Sequence, residues 1–169
     1  MKKKVAILGS TGSIGRSSIE IFKLNKNKFK ILLLSANSNY SSIISQIKII
    51  QPNFFIINNY KVYCKILKKV KNTKTKILNQ FKDIPSDIKF DITISAIVGI
   101  AGLEPTIQFT KNSKKVLLAN KESIICGWHI LKNISKKNNT EMIPVDSEHF
   151  SINQLTKNCN DSDIKKIYI

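Results

Sequence analysis

Arginine is nearly missing from this 169-residue chain: Arg16 stands alone beside 27 lysines. Acidic residues number only 11, so the formal charge at neutral pH is +17. Nucleic-acid binders usually draw on arginine for bidentate contacts and cluster their charge. Here the lysines are spread along the chain, mostly where helical periodicity places them on solvated faces. Lysine, isoleucine and asparagine make up 74 of the 169 residues. All three have AT-rich codons, so a biased genome would produce this composition on almost any fold. No nucleic-acid partner is expected, although a diffuse positive field attracts phosphorylated metabolites. Cys64, Cys126 and Cys159 are scattered and form no CxxC pair. That excludes a disulfide scaffold or zinc ribbon and suits a reducing compartment. No apolar run approaches the roughly 20 residues needed to cross a bilayer, so no membrane partner is expected. The start, Met1-Lys-Lys-Lys-Val-Ala-Ile-Leu-Gly9, is basic but lacks the long apolar stretch of a secretory signal. A cytoplasmic setting is therefore expected.

Short apolar runs alternate with helical patterns almost throughout. Val5–Leu8, Ile31–Leu34, Phe54–Ile57, Ile92–Ala96 and Val116–Ala119 are continuous rather than alternating, as strands buried on both faces of a parallel sheet should be. Between them, Ile43, Ile44, Ile47 and Ile50 fall at helical spacing, as do Val62, Ile66, Leu67 and Val70, and Ile124, Ile125, Trp128, Leu131 and Ile134. This cadence predicts an α/β fold, a doubly wound, mostly parallel, Rossmann-like sheet. Residues 71–77 read as an exposed connection before a weak strand. The tail Ile164–Ile169 reads as the opening of a strand in which the chain stops, so the sequence looks cut. Residues 1–145 are expected to form a dinucleotide-binding domain and 146–169 the beginning of a second, catalytic one.

Gly9-Ser-Thr-Gly12-Ser-Ile-Gly15 follows the first strand and opens a helix. Glycine at 9 permits a tight turn, at 12 it admits a pyrophosphate to the backbone, and at 15 it allows close helix packing. Helix N-terminal N–H groups then face the phosphates. A merely tight βα turn would read the same. At the end of strand two, NAD-binding proteins place a carboxylate on the ribose 2′-hydroxyl. Between Glu20 and Asp83 there is no acidic residue, and Ser35-Ala-Asn-Ser-Asn39 is neutral. NADP is therefore favoured over NAD, with Asn39 also fitted to cap the next helix. Asp146-Ser147-Glu148 follows a short strand at Met142–Val145. The two carboxylates suit Mg²⁺ or Mn²⁺, and the same residues suit a helix N-terminus. Lys121, within Asn120-Lys-Glu122 at the end of a strand, is placed to meet a phosphate or a developing oxyanion, or is one more surface lysine. His149 reads as packing or as support for its neighbours, His129 as structural, Trp128 as core, and Cys126 carries no chemistry.

In combination, Ile7-Leu-Gly-Ser-Thr-Gly-Ser-Ile-Gly15, Ala96-Ile-Val-Gly-Ile-Ala-Gly-Leu103, Leu117-Leu-Ala-Asn-Lys-Glu-Ser123 and Pro144-Val-Asp-Ser-Glu-His149 resemble the 1-deoxy-D-xylulose 5-phosphate reductoisomerase family. The resemblance runs over essentially the whole chain, which covers less than half of the family's usual length. It implies that Thr11, Gly12, Ser13 and Ile14 bind the pyrophosphate region of NADPH. It implies that Asn37, Ser38 and Asn39 lie at the adenosine end and Asn120 and Glu122 on the nicotinamide side. Lys121, Ser147 and Glu148 would contact a phosphorylated sugar substrate, and Asp146 and Glu148 would hold Mg²⁺ or Mn²⁺. Lys121 and Glu148 are the residues expected to act in catalysis. The family often has a basic triplet such as Gly-Lys-Asn where this chain has Asn37-Ser38-Asn39, so a weaker grip on the 2′-phosphate is expected. The implied reaction isomerises 1-deoxy-D-xylulose 5-phosphate, usually by retro-aldol and aldol steps, and reduces the resulting aldehyde to 2-C-methyl-D-erythritol 4-phosphate. The resemblance also implies a homodimer. Beyond residue 169 the family supplies a third metal carboxylate, the phosphate grip, a flap and a helical domain. The chain alone is thus expected to bind NADPH without turnover. Rival readings are another NADP-linked oxidoreductase, which leaves Asp146–Glu148 unexplained, a basic nucleic-acid module, and a non-catalytic remnant.

Overall fold

The computed structural model describes residues 1–167. Seven strands, β1 (Lys3–Leu8), β2 (Phe29–Ala36), β3 (Phe54–Ile57), β4 (Lys76–Leu78), β5 (Phe90–Ser95), β6 (Ser113–Leu118) and β7 (Glu141–Pro144), form one sheet in the order β4-β3-β2-β1-β5-β6-β7. Every adjacent pair is parallel, so the expected mostly parallel sheet is wholly so among the described residues. The helices are α1 (Ser13–Leu24), α2 (Tyr40–Ile50), α3 (Tyr60–Lys69), α4 (Leu103–Thr110), α5 (Lys121–Asn138) and α6 (Ser147–Thr156). Residues 164–167 are irregular, and the rest of the strand expected at the tail lies outside the described residues.

The continuous apolar runs bury both faces because successive strand residues point to opposite sides. Val5, Ile7, Leu34, Phe55 and Ile57 meet Ile19 and Phe22 of α1, Ile43 and Ile47 of α2, and Ile66 of α3 on one face. Ala6, Leu8, Leu33, Ile56 and Phe90 meet Phe109 of α4 on the other. The chain builds β1 to β4 outward in one direction, then returns to the middle and builds β5 to β7 in the opposite direction. The strand order therefore reverses between β1 and β5, where open α/β sheets form a crevice at their carboxyl ends.

Asparagine supplies the helix starts. Asn39, Asn59 and Asn120 cap α2, α3 and α5 by accepting from Ser42, Val62 and Ser123 backbone N–H groups, and Asp146 caps α6 through His149 N–H. Sequence periodicity does not announce α4, because its inward face includes Thr106 and Thr110 among Pro105 and Phe109. Those hydroxyls are satisfied internally: Thr106 bonds Ser95 and the Gly102 carbonyl, and Thr110 donates to the Thr106 carbonyl. The face expected on α5 is also displaced. Ser123, Gly127 and Leu131 are buried, whereas Ile125 and Trp128 are exposed, Trp128 by 42%. Trp128 is therefore not core: it stands exposed, while its neighbour Gly127 is the residue that packs against Leu103 of α4.

At the amino edge of the sheet, Asp91 accepts from the Lys4 N–H of β1 at 2.8 Å and pairs with Lys114 of β6 at 2.8 Å. The Lys114 ammonium and the Lys4 N–H hold its carboxyl below the ordinary range, outweighing the upward push of burial. A depressed folded value means that this contribution is complete above the unfolded value, about 3.9. It is lost as pH falls through the folded value. Asp91→Asn is expected to lower unfolding free energy by about 1 kcal/mol at neutral pH, with the difference from wild type closing in acid. Urea unfolding at neutral and acidic pH measures both.

Candidate functional site

The crevice at the strand reversal has a volume of about 360 Å³. Gly9, Thr11 and Gly12 line it from the β1 turn, Ser35, Ala36 and Asn37 from β2, Asn58 from β3, and Ala96, Ile97, Val98 and Ala101 from the loop after β5. Its floor depends on glycine. Gly9 adopts φ +84°, and a Cβ there would lie 2.5 Å from the Ala96 carbonyl oxygen. A Cβ at Gly15 would lie 2.3 Å from the Gly9 carbonyl oxygen. Gly12 is different: a Cβ would meet only the Gly9 oxygen, at 3.5 Å, which is ordinary contact. Nothing in the protein's own packing demands glycine at 12. Its bare backbone faces the crevice at the start of α1, and no side chain caps that helix. The uncapped amino terminus offers N–H groups and the positive end of the helix dipole to an anion.

The loop after β5 forms the opposite wall. Gly99 takes φ +75°, and Val98 projects with 86% exposure. Asn120 fixes the loop from behind. Its amide donates to the Ile97 carbonyl and, at 2.9 Å, to that of Gly99, while its oxygen accepts from Ser123 N–H at 2.7 Å. The side chain is 2% exposed, so what Asn120 gives the crevice is the placement of its wall. Neither this clamp nor the wall residues Ile97, Val98 and Ala101 carried a site role in the sequence reading. Gly99 beyond a buried strand was the available signal. Ser35, Ala36 and Asn58 were also missed, having no chemistry of their own to mark them.

Thr11 and Gly12 line the crevice, and Ser13 and Ile14 form the exposed first turn of α1. Asn37 lines it from the β2 end, Ser38 is exposed beside it, and Asn39 is engaged as the α2 cap. Lys121 is exposed and Glu122 half-buried in the first turn of α5. Further along the same carboxyl edge comes Asp146-Ser147-Glu148, after β7. Three strand spacings separate β7 from β1, about 14 Å, so the glycine turn and the acidic turn share one edge of the sheet.

Asp146 realises the helix-cap reading. Oδ1 accepts from His149 N–H at 3.0 Å and lies 2.6 Å from His149 Nδ1. Burial alone would raise this carboxyl, but the His149 N–H, ring hydrogen bond and charge outweigh it and hold it below the ordinary range. The other oxygen, Oδ2, is buried without a hydrogen-bond partner. An orphaned carboxylate oxygen is costly, and it marks where a cation would satisfy the group. Ser147 Oγ donates to Glu148 Oε2 at 2.6 Å. That bond, with the Glu148 N–H and the Lys121 charge, lowers the Glu148 carboxyl against the opposing effects of burial and Asp146. The Lys121 charge, on the first turn of α5, is thus felt at Glu148 on the first turn of α6. Among the described residues no group of three or more His, Cys, Asp or Glu is gathered for a metal. Asp146 and Glu148 fit a hydrated divalent ion and nothing more demanding.

The family model for 1-deoxy-D-xylulose 5-phosphate reductoisomerase matches residues 5–127. The protein of that name from Pelagibacter ubique is 44% identical over 171 residues, a match covering 99% of this chain and 44% of that protein. The chain therefore spans less than half the length of this curated relative. Among solved structures, 1-deoxy-D-xylulose 5-phosphate reductoisomerase from Zymomonas mobilis in complex with NADPH superposes with a TM-score of 0.81 at 27% identity, over 88% of this chain and 40% of that one. A DOX-P reductoisomerase in complex with NADPH, fosmidomycin and magnesium gives 0.79 at 32% identity, over 90% and 38%.

The glycine geometry makes a stability prediction. Gly15→Ala is expected to destabilise the fold by about 2–3 kcal/mol, since backbone must move to admit the methyl group. Gly12→Ala should cost about 1 kcal/mol or less, the ordinary penalty of alanine at a helix cap. Chemical denaturation of the two variants tests the distinction.

Proposed function

The chain belongs to the 1-deoxy-D-xylulose 5-phosphate reductoisomerase family, and from that premise we propose that it takes part in the NADPH- and divalent-metal-dependent isomerisation and reduction of 1-deoxy-D-xylulose 5-phosphate to 2-C-methyl-D-erythritol 4-phosphate, a step of non-mevalonate isoprenoid biosynthesis. The observation that carries this reading is the sharing of one sheet edge by the uncapped glycine turn, the Asn120-held wall and the Lys121 and Asp146–Glu148 turns.

In this reading residues 1–145 are the dinucleotide-binding unit, and 146–169 open the catalytic one. Thr11, Gly12, Ser13 and Ile14 receive the pyrophosphate on backbone N–H groups at the start of α1. Asn37, Ser38 and Asn39 take the adenosine end. Their neutrality leaves nothing to repel a 2′-phosphate, which favours NADPH over NADH. Asn120 sets the wall on the nicotinamide side, where Glu122 stands beside it. Asp146 and Glu148 hold Mg²⁺ or Mn²⁺, Asp146 through the Oδ2 that lacks a partner. Ser147 and Glu148 also touch the substrate. Lys121 holds positive charge beside the reacting oxygens, a contact contributing about 2–4 kcal/mol to the transition state in a water-poor site. When bound, the metal supplies Lewis acidity and the nicotinamide supplies hydride. The partner is a small phosphorylated sugar, the setting cytoplasmic and the assembly of the family enzyme a homodimer. Two carboxylates from one turn leave a cation mostly hydrated, so the chain by itself binds cofactor and does not turn over.

Calorimetric titration of the 169-residue chain is expected to show NADPH binding, weaker NADH binding, and a loss of about tenfold or more for NADPH in Gly12→Ala, the equivalent of one lost hydrogen bond to phosphate. Failure of the unmutated chain to bind NADPH would end this reading. Mn²⁺ binding, followed by its paramagnetic signal, should disappear in Asp146→Asn with NADPH affinity unchanged. Both carboxylates are held below the ordinary range. Protonation of these two carboxylates should therefore compete with Mn²⁺ only below about pH 4. Any NADPH oxidation by the isolated chain with 1-deoxy-D-xylulose 5-phosphate would contradict the expected lack of turnover.

A further inference from the structure

Gln46 lies on α2, in an otherwise apolar stripe with Ile43 and Ile47 that buries against the sheet. It is 8% exposed and does not line the crevice. Its amide reaches 36 positions back along the chain to Ser10, which is wholly buried between Gly9 and Thr11. The Ser10 hydroxyl donates to Gln46 Oε1 at 2.7 Å, and Gln46 Nε2 donates to the Ser10 carbonyl at 2.9 Å. The Ser10 N–H donates to the Ser35 carbonyl at 2.7 Å. All three polar groups of the turn residue are thus held by β2 and α2.

The carbonyl bond has the sharper consequence. In a trans peptide the C=O and the following N–H point in opposite directions within one plane. By drawing the Ser10 carbonyl toward α2, Gln46 turns the Thr11 N–H away from α2, and Thr11 lines the crevice. Gln46 also satisfies the buried Ser10 carbonyl, a backbone group that no substitution can make apolar. A leucine at 46 would continue the Ile43 and Ile47 stripe but leave that carbonyl without a partner. Glutamine is the side chain of this length that both donates and accepts at its tip, and Ser10 presents one group of each kind.

We propose that Gln46 is a positioning residue for the pyrophosphate turn: through its paired hydrogen bonds to Ser10 it aims the Thr11 N–H, and it acts on the dinucleotide without touching it. This rests on the dinucleotide reading above. Gln46→Glu keeps the acceptor for the Ser10 hydroxyl but sets a carboxylate against the Ser10 carbonyl, whereas Gln46→Leu removes both bonds.

The test titrates the 169-residue chain with NADPH and with adenosine 2′-monophosphate, which has the nucleoside end but no pyrophosphate. Thermal midpoints are recorded alongside, with Ile66→Val as a control for a small loss of core packing far from the turn. For Gln46→Glu, and for Gln46→Leu if it folds, NADPH affinity should fall about tenfold or more, the equivalent of one charge-assisted hydrogen bond. Adenosine 2′-monophosphate should bind as to wild type, and Ile66→Val should bind NADPH normally. Normal NADPH binding by Gln46→Glu overturns the proposal. So does an equal loss for both ligands, which would mean that Gln46 acts by shifting α2 and the adenosine end. If the unmutated chain fails to bind NADPH, the dinucleotide reading falls and this proposal with it; if it binds and only the variant results disagree, this proposal alone falls.

Discussion

The close approach of backbone to backbone at the strand reversal governs this molecule. Gly9 sits with its α-carbon against the Ala96 carbonyl, and Gly15 sits against Gly9, so β1, β5 and α1 meet where no side chain fits. A Cβ at either glycine would push the first helix or the β5 loop outward. The crevice would then lose the short span between its walls. Everything on the rim is arranged to keep that contact in place. Ser35 accepts from the Gly9 and Ser10 N–H groups on the β2 side. On the other side Asn120 holds the Ile97 and Gly99 carbonyls. The rim is polar and internally bonded while its walls are backbone and small side chains, an arrangement that offers an anion backbone N–H groups without a charged side chain.

Composition and site chemistry are decoupled here. The lysine excess leaves surface pairs such as Lys115 with Glu141, both about half exposed, which contribute little to stability. Asparagine, by contrast, has been put to structural use: three of the six helices among the described residues start on an asparagine cap. A genome bias toward lysine, isoleucine and asparagine therefore supplies core, cap and solvated face together. Two α-helices, α1 and α4, start on glycine without a capping side chain, and the start of α1 lines the crevice. Filling that position with asparagine would satisfy the N–H groups that a phosphate needs.

The sheet was legible because its signal is local: continuous runs of four or five mostly apolar residues leave few alternatives to two-sided burial. The glycine turn was legible for the same reason, since positive φ and close approach each restrict the residue type. What escaped was set by distant contacts. Trp128 reads as core on periodicity alone, but the face that α5 buries is that of Ser123, Gly127 and Leu131. Helix α4 hid because its buried threonines look polar until Ser95 and Gly102 are known to receive them. Asn120 looked like a ligand for a cofactor. Its burial and its bonds to the β5 loop emerge only once β5 and β6 are neighbours. Nothing local marks Gln46, because its partner lies 36 residues away.

Asp146 shows how the cap reading and the metal reading of one residue coexist. The two demands fall on different oxygens. Oδ1 is engaged by His149 through both backbone and ring, which fixes the rotamer and the start of α6. Oδ2 is buried and has no partner. A cation approaching Oδ2 would leave the cap intact, so the helix that carries Ser147 and Glu148 keeps its position while the site fills. An ion bound there as proposed would offset the cost of the unpartnered oxygen, because burial disfavours the charged carboxylate only until a counter-charge arrives. The His149 contacts hold the Asp146 carboxyl low against its burial, and the Ser147 hydroxyl, with a smaller effect of the Lys121 charge, does the same for Glu148. The hydrogen bonds that start α6 thus commit one oxygen of Asp146 and leave the other for the proposed ion.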